Sequence, residues 1–300
     1  MLRTLGVRID MDEEEDPKEN SIRKPMLRNN PLQPESIGIT RRHFLPRTRK
    51  DIYNDAYLSF DFAMRNGVFQ RQGPLQNKTR DALKEWLKLL QVTLPPTWSL
   101  QNMVSDIVKN FEEVVQAEDN LLKIVSNYPP KKKTWSHSCT RGDRSSGYTC
   151  GLWELFHIMT IGLVEWNNLI PGDDDWSYYR TEDAAQTLRN YIEHFFGCEV
   201  CRLNFLNAFE ACAFDRCNRL TRRAGEFDDW IELPLWLFET HNAVNVRLMK
   251  ERAEREHRVP TKRDEIDVQW PPREDCPLCW HEDGRWNQDK VFLYLRVTYW

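Results

Sequence analysis

Apolar residues recur every three to four positions along most of the chain, and no stretch alternates apolar with polar over a strand's length. Ile52, Ala56, Phe60 and Ala63 share one helical face, and Leu83, Trp86, Leu87 and Leu90 a second. Ile107, Phe111, Val114 and Val115 form a third. Pro95-Pro96 separates the second helix from the third, and Pro129-Pro130-Lys131-Lys132-Lys133 reads as a solvated linker. Another helical series starts near Trp135. Leu152, Leu155, Phe156, Met159 and Leu163 line its first helix, and Ala184, Leu188, Tyr191, Ile192 and Phe195 its second. A helix after Cys198 carries Phe205 and Phe209. The next opens at Pro234, a residue favoured in a first turn, and runs through Leu248. A short last helix holds Phe292, Leu293 and Leu295. The pattern predicts an all-α protein, a helical bundle, and the lack of a strand–GxGxxG–helix signal argues against a Rossmann-type nucleotide fold. Residues 1–45 are polar, with mixed charge and scattered prolines, and read as a disordered tail or linker. Residues 46–130 and 135–300 read as two helical regions.

Composition narrows the function classes. The formal net charge of -4 gives no case for nucleic acid. No stretch approaches the roughly 20 apolar residues of a membrane helix; the richest, Gly151 to Trp166, is interrupted by Glu154, His157 and Glu165. The eight cysteines each have a neighbour close in sequence, which permits four short local bridges and suggests an oxidising compartment. Met1 to Glu19 holds an acidic run, Asp12 to Asp16, and no apolar stretch of secretory-signal length. The two observations agree if the chain is a C-terminal portion of something longer.

Three constellations carry chemistry. Cys198-Glu199-Val200-Cys201 is a CxxC at a helix start, preceded by Phe195-Phe196-Gly197. Two thiols at this spacing can close and open a ring, carrying two electrons, and a helix N-terminus stabilises a thiolate. A structural bridge or half of a zinc site stays open, although the other CxxC, Cys276/Cys279, lies far outside zinc-ribbon spacing. Trp153 and His157 share a helix face. So do His241, Asn245 and Leu248, with Asn242 at the edge. Buried imidazole and amide groups need partners, and a heterocyclic ligand would supply them.

Taken together, Cys150-Gly151-Leu152-Trp153-Glu154-Leu155-Phe156-His157, Phe195-Phe196-Gly197-Cys198-Glu199-Val200-Cys201 and His241-Asn242-Ala243-Val244-Asn245-Val246-Arg247-Leu248 resemble, in order and spacing, the three core motifs of the Erv/ALR sulfhydryl oxidases. Gln269-Trp270-Pro271-Pro272-Arg273-Glu274-Asp275-Cys276-Pro277-Leu278-Cys279 is similar to the final CxxC segment of the quiescin sulfhydryl oxidase (QSOX) branch. Cys139 with Cys150 resembles that branch's pair before the first Erv helix, and Arg49 to Ala56 the opening of its pseudo-Erv region. The resemblance covers residues from about 45 to 300 and implies a helical bundle holding FAD beside the dithiol. In it Cys198 would exchange with incoming thiols, and Cys201 would face the flavin as a thiolate. Trp153, His157, Asn204, Phe238, His241, Asn242, Val244, Asn245, Leu248 and Trp270 fall at flavin-pocket positions. The implied bridges are Cys139–Cys150, Cys198–Cys201 and Cys276–Cys279.

The implied reaction turns thiols, small or protein-borne, and O2 into a disulfide and hydrogen peroxide. The family also implies a secretory-pathway or extracellular setting. A monomer is expected, with the pseudo-Erv region covering the surface through which stand-alone Erv domains pair. No resident metal is expected. The sequence departs from the family at Asn204, Ser146, Phe238 and Asp267, which keeps open a helical binding module without FAD. Cys212 and Cys217 fall outside the family pattern; a local bridge, free thiols and an electron shuttle are all open for them. Residues 1–138 contain no cysteine, so the thioredoxin-like relay of full-length QSOX proteins has no counterpart in this chain, and Cys276/Cys279 is the candidate secondary shuttle.

Overall fold

A computed structural model describes residues 48–70, 73–140, 147–169, 179–222 and 227–300. The tail expected at residues 1–45 and the departure at Ser146 lie outside the described residues. The regular elements are α1 (Arg49–Asn66), α2 (Asn77–Thr93), α3 (Ser99–Lys109), α4 (Phe111–Val114), α5 (Glu118–Ser126), α6 (His137–Thr140), α7 (Gly147–Leu169), α8 (Thr181–Phe195), α9 (Glu199–Glu210), α10 (Arg216–Arg219), α11 (Phe227–Arg255), α12 (Lys262–Asp267) and α13 (Gln288–Tyr299), with short 3-10 turns at Ala213–Asp215 and Pro277–Cys279. Apart from an isolated bridge between Trp280 and Trp286, the described residues contain no strand. The all-α class read from the apolar spacing is the observed one.

Local chemistry sets several boundaries. The Thr48 side-chain oxygen accepts the Asp51 N–H at 3.1 Å and starts α1. Thr261 and Asp264 form a reciprocal capping box at α12, and the Asn287 side chain accepts the Lys290 N–H at the start of α13. Two boundaries differ from the sequence reading. The stripe Ile107–Val115 spans a break at Asn110, where the backbone leaves helical geometry, yet its four apolar members stay buried. Pro234 lies inside α11, not at its start. Trp230 and Leu233 are buried on the preceding turn, and that burial outweighs the hydrogen bond a proline cannot donate.

The hub of the bundle is α7, which packs against α1, α2, α6, α11 and α13. Two glycines three turns apart bring backbones together. A Cβ on Gly151 would sit 2.2 Å from the Asp55 carbonyl oxygen of α1, and one on Gly162 would sit 1.8 Å from the Thr93 oxygen at the end of α2. Polar ties hold α1 to the start of α6 and to α7. Fully buried Asp55 accepts the Ser136 N–H at 2.8 Å and also the Ser136 hydroxyl, and the Ser59 hydroxyl donates to the Tyr148 carbonyl at 2.8 Å. Trp86 of α2 stacks on Tyr191 of α8 with centroids 4.4 Å apart and meets Phe156 of α7 edge-on. One hydrophobic core thus runs through helices on both sides of the Pro129–Lys133 linker. At the far end of α7, the Glu165 carboxylate receives a two-point contact from Arg296 of α13.

Adding a methyl group at Gly162 forces α2 from α7. Gly162→Ala is expected to cost about 1–3 kcal/mol of stability through overpacking, read as a lower denaturation midpoint. An unchanged midpoint would mean that the two backbones do not depend on this approach.

Candidate functional site

The dithiol sits where α8 gives way to α9. Phe195 and Phe196 are buried and anchor the end of α8, after which Gly197 and Cys198 return to the surface. Cys198 is the N-cap of α9, its sulfur accepting the Cys201 N–H at 3.3 Å, and the two cysteines are joined as a disulfide. Cys198 is exposed, whereas Cys201, in the first turn of α9, is half-buried against the core. Opening the bond therefore leaves one accessible thiol and one sheltered thiol within the first turn. Free N–H groups and the helix dipole there favour a thiolate. Beside Phe196, Tyr148 and Phe62 form an aromatic run with centroid steps of 6.2 and 4.7 Å. Burial raises the Tyr148 phenol above its usual pKa and that of fully buried Tyr191 further, so both remain neutral at ordinary pH.

Aromatic and imidazole side chains from α7, α11 and the segment after α12 assemble a second feature. The rings of Trp153 and His241 stack nearly parallel, 4.2 Å apart at 3°. His157 Nε2 lies 3.1 Å from His241 Nδ1, a hydrogen bond in which one ring nitrogen donates and the other accepts. Tyr299 stacks on His157 at 5.0 Å, and Trp270 lies within 6.0 Å of both imidazoles. Asn242 fixes Trp270 through its backbone: the amide Nδ2 donates to the Trp270 carbonyl and Oδ1 accepts the Trp270 N–H, each at 2.8 Å. Phe238 is buried between Trp270 and Trp286.

Trp153, His157, Phe238, His241, Asn242 and Trp270 are thus brought together. Val244 and Asn245 are half-buried on the same helix, and Leu248 is 45% exposed beyond them. Asn204 is half-buried on α9, one turn past Cys201.

A groove of about 690 Å³, within the usual range for ligand pockets, runs along a neighbouring face of α11. Asn242 joins it to the aromatic cluster. Phe214 and Trp286 provide flat apolar walls; Arg247 and Lys250 also line it, paired with Glu251 and Glu265, beside Glu239 and Glu254. Neither the dithiol nor Trp153 lines this groove. The sequence reading missed Lys250, Phe214 and Trp286. Lys250 follows Asn242 and Val246 at four-residue steps and was in principle visible, whereas Phe214 and Trp286 arrive from distant segments with no local signal.

All eight cysteines are paired as Cys139–Cys150, Cys198–Cys201, Cys212–Cys217 and Cys276–Cys279. Both CxxC pairs are closed as disulfides and in this state offer no thiolates to zinc. Cys279 is fully buried and Cys276 nearly so, beside Trp280, so this pair clips the chain between α12 and α13 and is poorly placed as a shuttle. The choice for Cys212 and Cys217 between free thiols and a bridge resolves to a bridge.

Comparison with known proteins places this geometry. Residues 150–271 match the Erv1 / Alr family, a stretch holding the dithiol, the aromatic–imidazole cluster and most of the groove. Over this stretch the chain is similar to the Erv/ALR family, and the relatives it resembles are sulfhydryl oxidases. Sulfhydryl oxidase 1 of Oryza sativa subsp. japonica is 34% identical over 168 residues, covering 53% of this chain and 27% of that protein. Human sulfhydryl oxidase 2 is 29% identical over 239 residues, covering 75% of this chain and 28% of that protein. The chain thus spans little more than a quarter of these relatives' length. The solved sulfhydryl oxidase fragment of human QSOX1 shares the fold, with a TM-score of 0.61 at 22% identity over 85% of this chain and 97% of that one. Within the matched stretch, Phe238, one of the departures from the family pattern, fills core space against two tryptophans.

Asn242→Ala leaves the N–H and carbonyl of Trp270 without their side-chain partners. The expected loss is about 1–3 kcal/mol of stability, measured by equilibrium unfolding of the flavin-free protein. A loss below about 0.5 kcal/mol, the range of ordinary surface changes, would mean that water replaces the amide without cost.

Proposed function

We propose that this chain is an FAD-linked thiol oxidase that forms disulfides from paired thiols and passes the electrons to O2. The observation that carries the reading is the Cys198–Cys201 disulfide at the N-cap of α9, one sulfur exposed and the other sheltered, inside the stretch similar to the Erv/ALR family.

The aromatic planes of Trp153, His157, His241 and Trp270 suit the ring system of a flavin; the groove along α11 is no diphosphate site, because Glu239, Glu251 and Glu254 line it and Arg247 and Lys250 are already paired with Glu251 and Glu265. When bound, FAD supplies two-electron acceptance from a dithiol and delivery of those electrons to O2. The protein's own part begins at Cys198. A substrate thiolate attacks its exposed sulfur, forms a mixed disulfide and expels Cys201 as a thiolate, which the N-terminus of α9 stabilises. A second substrate thiol attacks the mixed disulfide and releases the product disulfide. Two electrons and two protons have then moved from substrate to the Cys198/Cys201 pair, whose disulfide must be restored before the next cycle. Half-burial of Cys201 keeps incoming thiols off the inner sulfur and directs attack to Cys198.

The substrates supported are thiols, small or protein-borne, since the exposed outer sulfur sets no narrow gate. No helix among the described residues is long and apolar enough to cross a membrane. Four disulfides support an oxidising, secretory-pathway setting. Coverage of α7 by α1 and α2 supports the monomer reading.

Replacement of Cys201 by serine is the direct test. Dithiothreitol-dependent oxygen uptake and peroxide formation are expected for the unaltered chain and should fall to the uncatalysed background in Cys201→Ser. Uptake that persists in the variant would remove the proposed role of the dithiol.

A further inference from the structure

Arg202, the residue after the inner cysteine, folds back over the turn that carries the outer one. Its Nη1 donates to the Phe196 carbonyl at 3.3 Å, and its backbone N–H donates to the Cys198 carbonyl at 2.9 Å. The side chain thus runs against the direction of α9, on the face that positions 198 and 202 share at four-residue spacing. It is half-buried there, and among the described residues no carboxylate pairs with it. The other charged groups on the elements that meet at this turn are largely committed. At the end of α8, Glu193 is paired with Arg189, and His194 Nε2 lies 3.8 Å from the same carboxylate. On α1, just before Gly67, whose added Cβ would sit 3.2 Å from the Phe195 carbonyl, Asp61 is paired with Arg65. Glu199 is exposed beside Cys198. The Arg202 guanidinium is therefore an uncommitted positive charge held at the start of α9.

We propose that Arg202 is a positioning residue for thiol exchange, pinning the Phe196–Cys198 turn and favouring Cys198 as a thiolate through its charge. This rests on the thiol oxidase reading above. In the first exchange step a substrate thiolate enters at Cys198 and Cys201 departs. In the second, the other substrate thiolate attacks the substrate sulfur of the mixed disulfide. The bond between that sulfur and Cys198 breaks, the product disulfide forms, and the electron pair of the broken bond leaves on Cys198. The substrate's two electrons then reside on the Cys198 and Cys201 sulfurs, which take up its two protons. A thiol departs faster the lower its pKa, so the ease of this second step depends on how well the Cys198 thiolate is stabilised. The N-terminus of α9 and the Arg202 guanidinium both act in that direction. Glu199 opposes them, but its exposure leaves it well screened by solvent and salt. Arg202 thereby speeds release of the product disulfide.

The test reads Cys198 alone and needs no flavin. In a full-length Cys201→Ser chain the other six cysteines stay bridged, so Cys198 is the single free thiol. The rate of its alkylation by iodoacetamide, followed across pH, reports the fraction present as thiolate. Adding Arg202→Gln keeps a donor for the Phe196 carbonyl but removes the charge. It is expected to slow alkylation at pH 7 about threefold to tenfold and to move the profile to higher pH. Arg202→Met should match it, and decides the matter if the Gln variant fails to fold; Arg202→Lys should return most of the rate. In the chain with both cysteines, Arg202→Gln should lower dithiothreitol-dependent oxygen uptake by a similar factor, with Arg202→Lys again restoring it. An unshifted alkylation profile in the neutral variants, or a Lys variant no faster than Gln, overturns the proposal while leaving the oxidase reading intact. A shifted profile in a chain whose unaltered form takes up no oxygen overturns the oxidase reading and leaves the hold of Arg202 on Cys198 standing.

Discussion

The close approach of α7 to α1 and α2 governs the rest of the structure. At Gly151 and Gly162 the backbone comes so near Asp55 and Thr93 that even a methyl group has no room. With α7 seated this way, Trp153 and His157 face His241 of α11, and the ring stack and imidazole hydrogen bond fix how those two helices meet. Asn242, one residue on, then holds the Trp270 backbone, and Glu165 at the other end of α7 holds Arg296 of α13. The chemistry-bearing side chains are therefore positioned by helix packing, and the helices N-terminal to the Pro129–Lys133 linker are part of that packing.

The dithiol obeys a different constraint. For the proposed thiol exchange it needs a helix N-terminus for thiolate stability, an exposed sulfur for attack and a sheltered one as the leaving group. The sequence Phe195-Phe196-Gly197-Cys198 supplies all three by ending one helix in buried aromatics and starting another at the cysteine. In contrast, Cys276 and Cys279, with the same spacing, are buried in the packing of Trp280 and Trp286, and serve as a clip. Spacing alone does not separate these two roles; burial does.

Much of this was legible in the sequence, for identifiable reasons. The helix faces came through because apolar spacing is a local signal, and Ile52, Ala56, Phe60, Leu83, Trp86, Leu152, Leu188 and Tyr191 are all buried as read. Trp153, His157, His241, Asn242 and Trp270 were singled out through motifs that resemble those of a known family, and the fold gathers them. Pro234 misled because its local preference for a first turn yields to burial of Trp230 and Leu233 before it. Helix α5 and α12 were missed; each is short, and α12 buries no residue, which leaves no apolar stripe to read. Phe214 and Trp286 gave no signal, because a wall built from separate segments exists only once the chain has folded.

The central question for this protein is whether the Cys198–Cys201 pair passes electrons to a flavin held by this fold. The measurement that addresses it most directly is the visible absorption of the purified protein, first without oxygen and with dithiothreitol, then after air is admitted. An oxidised-flavin spectrum that bleaches with the dithiol and returns with oxygen is the predicted result. A flavin spectrum that the dithiol leaves unchanged would contradict the coupling, and a folded protein that takes up no FAD would contradict the cofactor itself and favour a binding role for the same helical frame.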